Sequence, residues 1–205
     1  MLQYESKAES QGYLHIAGVD EAGRGPLAGP VVASAVILPA NVSLDGLTDS
    51  KILTLKQREH FFPIIKQVAV AFAIETVSSE VIDEINILQA SLLAMKQAVE
   101  KLSPLADLLL IDGNQRVKTS TDQWTIVKGD SKSLSIAAAS VLAKVTRDKL
   151  MEDYHAQYPQ YEFARHKGYG TQLHRDLIIQ HGPCPIHRRS FRGVLPEETE
   201  NVSSA

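Results

Sequence analysis

The stretch Ala17-Gly18-Val19-Asp20-Glu21-Ala22-Gly23-Arg24-Gly25-Pro26 decides the fold. Leu14, Ile16 and Val19 read as a short strand, two adjacent carboxylates stand at its end, and a Gly-Arg-Gly turn terminates it. Carboxylates at a strand end offer oxygen ligands to a hard divalent cation. Gly23 and Gly25 have no Cβ, so another chain can approach their backbone N–H groups, and Arg24 between them suits a phosphate. Residues 30–38 follow, and their β-branched content reads as a second strand. A dinucleotide-binding loop has nearly the spacing of Gly23, Gly25 and Gly29, but it requires a helix after the glycines. No Gly-x4-Gly-Lys-Ser/Thr phosphate loop occurs in the chain.

Working outward, Thr54 and Gln57 form a capping box for a helix that reaches Phe62, where Pro63 interferes. Residues 67–76 alternate as a third strand, with Val68, Val70, Phe72 and Ile74 on one face. Asn86 and Gln89 cap a helix carrying Ile87, Leu88, Leu92, Met95 and Val99 at helical spacing. Leu108-Leu109-Leu110-Ile111-Asp112 is an apolar run suited to a central strand covered on both faces. Residues 124–127 are a further strand, 135–155 a long helix rich in small residues at its start, and 171–180 a shorter helix closed by Gly182-Pro183. Three consecutive strands predict an antiparallel meander, and the later strand–helix alternation adds parallel strands. The class is α/β around one mixed sheet, with helices at the C-terminus.

Composition sets the frame. With 205 residues and 44% hydrophobic content, the chain can bury one core without staples. A single cysteine, Cys184, excludes an internal disulfide framework and fits a reducing compartment. No apolar run approaches membrane-spanning length and the polar N-terminus lacks a signal-peptide core, so the expectation is a soluble, cytoplasmic protein with no membrane partner. A net charge of −3 does not announce a nucleic-acid binder. The cations are concentrated, however: Arg165, Lys167, Arg175, Arg188, Arg189 and Arg192 face one acid, Asp176, and His166, His174, His181 and His187 lie among them. Such a run reads either as a local phosphate-binding surface or as a solvated helix face.

Three strand-like segments end in acids: Asp20-Glu21, Asp112 before Gly113-Asn114, and Asp130 after Lys128-Gly129. If these strands are neighbours, their carboxylates converge and repel until a cation intervenes. Oxygen-only ligands point to Mg²⁺ or Mn²⁺ rather than zinc, and to two-metal phosphoryl chemistry. Neither an HExxH nor a paired-CxxC pattern competes. Asp83 and Glu84 read as helix-start acids, and Cys184 with His181 or His187 as structural or solvent-facing. Lys128 is either a phosphate contact or a neutraliser of the acidic cluster, and Lys144 and Arg147 meet either phosphate or water. Two other classes fit part of the pattern: a non-catalytic nucleic-acid-binding module on the basic C-terminal stretch, and a Mg²⁺-dependent small-molecule phosphatase.

Taken together, Gly18 to Pro26, Asp49-Ser50-Lys51, Ile82 to Leu88, Ile111-Asp112-Gly113-Asn114, Val127 to Ser131, Ala137 to Asp148 and His166-Lys167-Gly168-Tyr169 resemble bacterial ribonuclease HII, the type 2 ribonuclease H family. The resemblance spans residues 14–192. It implies an RNase H-like mixed five-stranded sheet flanked by helices with a C-terminal helical extension. The implied division is an N-terminal extension (1–13), a catalytic domain (14–157), a basic substrate-binding helical region (158–195) and a disordered tail (196–205). It implies cleavage of RNA in RNA–DNA hybrids and incision 5′ to single ribonucleotides in duplex DNA, leaving a 3′-hydroxyl and a 5′-phosphate. Asp20, Glu21, Asp112 and Asp130 would be the catalytic, metal-binding carboxylates. Gly23, Arg24 and Gly25 would read the 2′-hydroxyl, Tyr169 would stack on the neighbouring sugar, and Lys51 would hold a backbone phosphate. The family further implies a monomer, with contact to a sliding clamp as a possible partnership.

Overall fold

The strand around Asp20 is β1 (Ile16–Ala22), and it runs through both carboxylates instead of stopping before them. It continues because Asp20 and Glu21 still have ladder partners, Ser34 and Ala33 of β2 (Val31–Ile37). The computed structural model describes residues 1–195; the tail expected to be disordered, 196–205, lies outside the described residues.

β2 is antiparallel to β1 and to β3 (Ala71–Val77), so the expected meander forms. β4 (Leu108–Asp112) runs parallel to β1, and β5 (Asp122–Ile126) parallel to β4. The order is β3-β2-β1-β4-β5, a mixed five-stranded sheet. The apolar run before Asp112 lies in the interior of the sheet, and Leu108 to Ile111 are buried.

Helices cover both faces. α1 (Gln3–Ser10) falls in the stretch expected to be an extension and was not foreseen. Its Ala8 packs with Leu108, Leu110 and Ile136. Its Glu5 accepts from Ser133 Oγ at 2.7 Å and from the Ser135 N–H at 2.9 Å, anchoring the start of α4 (Leu134–Gln157). α2 (Leu55–Val68) begins with the Thr54–Gln57 capping box but does not end at Pro63. Proline removes one helical bond, to the Glu59 carbonyl, and Glu59 is exposed to water, while Phe61 and Ile65 keep the helix buried on one face. Residues 67–68 are therefore helical, and β3 starts at Ala71 rather than at residue 67.

α3 (Ser79–Glu100) contains a break at Asn86, with φ 66° and ψ 164°. The Asn86 side chain accepts from the N–H groups of Leu88 and Gln89 at 3.0 and 3.1 Å, which is the expected cap at an interior joint. The turn of helix before it, capped by Ser78, was not foreseen. Beyond α4 lie the short α5 (Phe163–His166) and α6 (Gln172–His181), whose N-cap is Thr171.

Alternation along β1 sorts the two faces. Ala17 and Val19 join the core built with α3. Gly18 meets α4: a Cβ on Gly18 would collide with the backbone of Ser135 and Ile136. That contact explains why the first turns of α4 are made of Ala137, Ala138, Ala139 and Ser140, all buried. The close approach brings the start of α4 over the acidic end of β1.

Candidate active site

Three of the four expected acids come together. Asp20, Asp112 and Asp130 each present an oxygen, and these atoms lie within 4.8 Å of one another. The parallel ladder sets Val19 beside Ile111, so Asp20 and Asp112 extend from neighbouring strands at the same end. Asp130 is not at a strand end as expected; it lies in a 3₁₀ turn, Gly129–Ser131, between β5 and α4. Asp112 reaches this turn directly, its Oδ1 accepting from the Gly129 N–H at 2.6 Å. Lys128, in the left-handed region at φ 56°, makes the corner.

Glu21 stands apart from that group. Being next to Asp20 on a strand, it points to the opposite face, where its Oε1 accepts from Arg24 Nη1 at 3.3 Å. It still senses the cluster: burial raises its carboxyl, Arg24 opposes the rise and Asp112 adds to it.

The cluster is short of positive charge. Burial pushes the Asp20 carboxyl well above the usual range, and Glu21 and Asp112 push it the same way. Burial and Asp112 raise Asp130, against the pull of Lys51. Lys51 Nζ lies 3.2 Å from Asp130 Oδ2, so Lys51, rather than Lys128, is the cation that meets Asp130. Desolvation works against charged Lys51, but Asp130 and Asp20 outweigh it and its ammonium is strengthened. Its loop is tied down by a hydrogen bond between the Ser50 and Ser140 hydroxyls at 2.8 Å and by Arg58, which donates to the Ser50 carbonyl at 2.8 Å. A buried set of oxygen ligands with excess negative charge suits a hard divalent cation.

Beside the acids, the turn of residues 23–25 is held from behind. Gly23 has φ 102°, a region that favours glycine, and a Cβ there would strike the Arg147 side chain. Arg188 is fully buried and spends its guanidinium on carbonyls: Gly23 at 2.6 Å, Arg24 at 3.1 Å, Pro26 at 2.8 Å and Gly29 at 2.9 Å. Arg147 does the same for Ala28 at 3.0 Å, Pro30 at 3.1 Å and Lys167 at 2.9 Å. With these carbonyls taken, the exposed Gly25 and Arg24 form the outer rim of the turn. Tyr169 completes it; the residue is 45% exposed, and its ring lies 3.9 Å from where a Cβ on Gly25 would be. The Lys144 ammonium sits 5.8 Å from the ring centre.

The basic stretch is corrected in part. Arg188, His166, His174 and His187 are buried, so they contribute no outward charge. Arg147 meets carbonyls rather than phosphate or water, and Lys144 pairs with Asp148 at 2.8 Å. Cys184 is buried with its sulfur 3.1 Å from His187 Nδ1, a structural and not a solvent-facing place. Asp83 is not a helix-start acid: it accepts from the N–H groups of Arg189 and Ser190 and from the Ser190 hydroxyl, docking the C-terminal segment on α3. The roles of Arg147, Arg188 and Asp83 were missed because a backbone partner, a carbonyl for each arginine and an N–H for Asp83, leaves no side-chain signature in the sequence.

A central strand whose acid meets two more acids from the adjoining strand and turn makes a carboxylate centre suited to metal-assisted hydrolysis, and the family match makes the protein an endonuclease of the ribonuclease H type. The family model "Ribonuclease HII" matches residues 17–194, and the chain belongs to the ribonuclease HII family. It is 55% identical to the ribonuclease HII of Syntrophus aciditrophicus over 205 residues, 99% of this chain and 97% of that one. The ribonuclease H2 of Pyrococcus horikoshii OT3 superimposes with a TM-score of 0.73 at 26% identity, over 88% of this chain and 95% of that one. Bst-RNase HIII, solved in complex with Mn²⁺, shares the fold with a TM-score of 0.68 at 19% identity, over 91% of this chain and 70% of that one. No described helix is long and apolar enough to cross a membrane.

Proposed function

We propose that this chain hydrolyses the RNA of RNA–DNA hybrids and incises on the 5′ side of single ribonucleotides embedded in duplex DNA, leaving a 3′-hydroxyl and a 5′-phosphate. The observation that carries the reading is the meeting of Asp20, Asp112 and Asp130 beside a rigid Gly-Arg-Gly turn. Asp20, Asp112 and Asp130, with Glu21, which lines one pocket with Asp112, are the residues that would hold Mg²⁺ or Mn²⁺. Such ions, when bound, supply a Lewis acid and a water of lowered pKa for phosphodiester hydrolysis. Family membership and the Mn²⁺ complex of the Bst-RNase HIII relative support a divalent cation of this kind.

The chain's own residues would select and orient the substrate. The amides and cation of residues 23–25 face a 2′-hydroxyl, which both donates and accepts and is absent from DNA. The exposed Tyr169 ring offers a face for the neighbouring sugar without reading sequence. The Lys51 side chain is 75% exposed, leaving donors free for a strand phosphate while one faces Asp130.

The test is a duplex containing one ribonucleotide, incubated with Mg²⁺, Mn²⁺ or chelator, with the cut mapped. A single ion-dependent cut 5′ to the ribonucleotide is expected. Hydrolysis of a simple phosphate ester with the duplex untouched would favour the phosphatase class instead. Binding without any cleavage would favour the non-catalytic module.

A further inference from the structure

We propose that His174 and His187 are positioning residues for Tyr169, acting through a hydrogen-bond chain of fixed direction. The chain starts at the Cys184 backbone N–H, which donates to His187 Nδ1 at 2.9 Å. A backbone N–H only donates, so His187 Nδ1 is bare and the neutral ring carries its proton on Nε2. His187 Nε2 lies 3.0 Å from His174 Nε2. Two ring nitrogens bond only when one has a proton and the other a lone pair, so His174 accepts there and keeps its proton on Nδ1. His174 Nδ1 lies 2.9 Å from the Tyr169 carbonyl, to which it donates. The direction cannot reverse without losing the Cys184 contact.

The surroundings support a fixed neutral chain. Both rings are buried, and burial lowers each imidazole to about 4, so neither is charged at neutral pH. Tyr161 and Phe163 pack against them edge-on or tilted. His166 stacks on His174 at 4.3 Å between ring centres and accepts from the Gly168 N–H on its own Nδ1. The Tyr169 N–H donates to the His166 carbonyl at 2.9 Å. Both backbone polar groups of Tyr169 are thus pinned while its ring stays exposed. The next residue after His187 is Arg188, which holds the Gly23 and Arg24 carbonyls. One dipeptide therefore fixes both halves of the surface facing the ribose.

This inference rests on the reading of Tyr169 as the ring that meets the sugar, and the experiment separates the two. His174→Asn keeps an amide where Nδ1 was, able to donate to Tyr169. His174→Gln puts its amide where Nε2 was, so the Tyr169 carbonyl loses the side-chain donor and keeps only the Thr171 N–H at 2.8 Å. Wild type, both variants and Tyr169→Ala are assayed on a duplex with one ribonucleotide and on a uniform RNA–DNA hybrid. Loss of one neutral hydrogen bond predicts that His174→Gln lowers the junction-to-hybrid ratio of kcat/KM about 5-fold, with His174→Asn within about 2-fold of wild type. An unchanged ratio in His174→Gln, where Tyr169→Ala lowers it, overturns the inference alone. An unchanged ratio in Tyr169→Ala overturns the reading of Tyr169 and the inference with it. Nitrogen-15 NMR of the wild-type protein needs no variant to fold: at neutral pH it should find His187 as the Nε2–H and His174 as the Nδ1–H tautomer. Reversed or charged rings contradict the chain.

Discussion

Arg188 Nη2 donates to the Gly23 carbonyl at 2.6 Å across 165 positions of sequence. The turn proposed to face the ribose is thereby shaped by a residue far away in sequence. Removing the guanidinium would orphan several buried carbonyls, each costing about 1–3 kcal/mol. Arg188→Met is expected to lower unfolding stability by about 3–5 kcal/mol, in the range seen when a buried charged network is broken. Arg188→Lys should recover only part of this, because an ammonium lacks the planar fork. Urea denaturation gives the answer; a loss below about 0.5 kcal/mol, the size of an ordinary surface change, contradicts the structural role.

Gly18 marks where α4 touches the sheet. A methyl group there meets the backbone of Ser135 and Ile136, which cannot swing aside as a side chain can. Gly18→Ala should cost at least about 1–3 kcal/mol through overpacking and should also weaken activity, since the helix must lift from Asp20. Thermal unfolding equal to wild type would show that α4 does not sit this close.

The acids are poised for a cation, not for stability. In chelator, Asp20→Asn should stabilise the protein against urea, because a buried carboxyl flanked by Glu21 and Asp112 is replaced by a neutral group. Adding Mn²⁺ should raise the melting temperature of wild type and not of Asp112→Asn. Equal shifts in both would place the ion elsewhere.

Lys51 competes with any cation for Asp130. Lys51→Met should therefore lower the Mn²⁺ concentration needed for half-maximal stabilisation while raising KM for hybrid several-fold. Titrations followed by melting temperature and by initial rate report the two effects separately. No change in either contradicts the ion pair's importance.

His174 and His187 set a stability window in pH. Each is lowered from 6.5 to about 4 by burial, so between those values the unfolded chain binds more protons than the folded one. Their contribution is complete above pH 6.5 and drains away as pH falls toward 4. The stability difference between wild type and His187→Gln should be greatest at neutral pH and shrink through this window. A difference that grows on acidification reverses the sign of the argument.

Much of this was legible in the chain. The β-branched run after Pro30, the apolar run before Asp112 and the Thr54–Gln57 and Asn86 caps each act locally, so they name their own elements. The acids at Asp20, Asp112 and Asp130 were legible because charge is rare where strands are apolar. What was hidden is non-local. α2 passes through Pro63 because Phe61 and Ile65 bury its face, a tertiary effect that overrides a local breaker. The basic C-terminal stretch reads as a surface because sequence shows charge and not burial: Arg188 spends its guanidinium on the carbonyls of residues 23–29.

The most direct test of the whole account is single-ribonucleotide cleavage by wild type, Asp20→Asn and Asp112→Asn, each shown to fold and to bind the duplex. The loss from removing carboxylates proposed to touch the ion should exceed the roughly 10–100-fold typical of residues one shell removed, with binding retained. Wild-type turnover by either variant, with contaminating nuclease excluded, contradicts the claim that these acids form the cleavage centre.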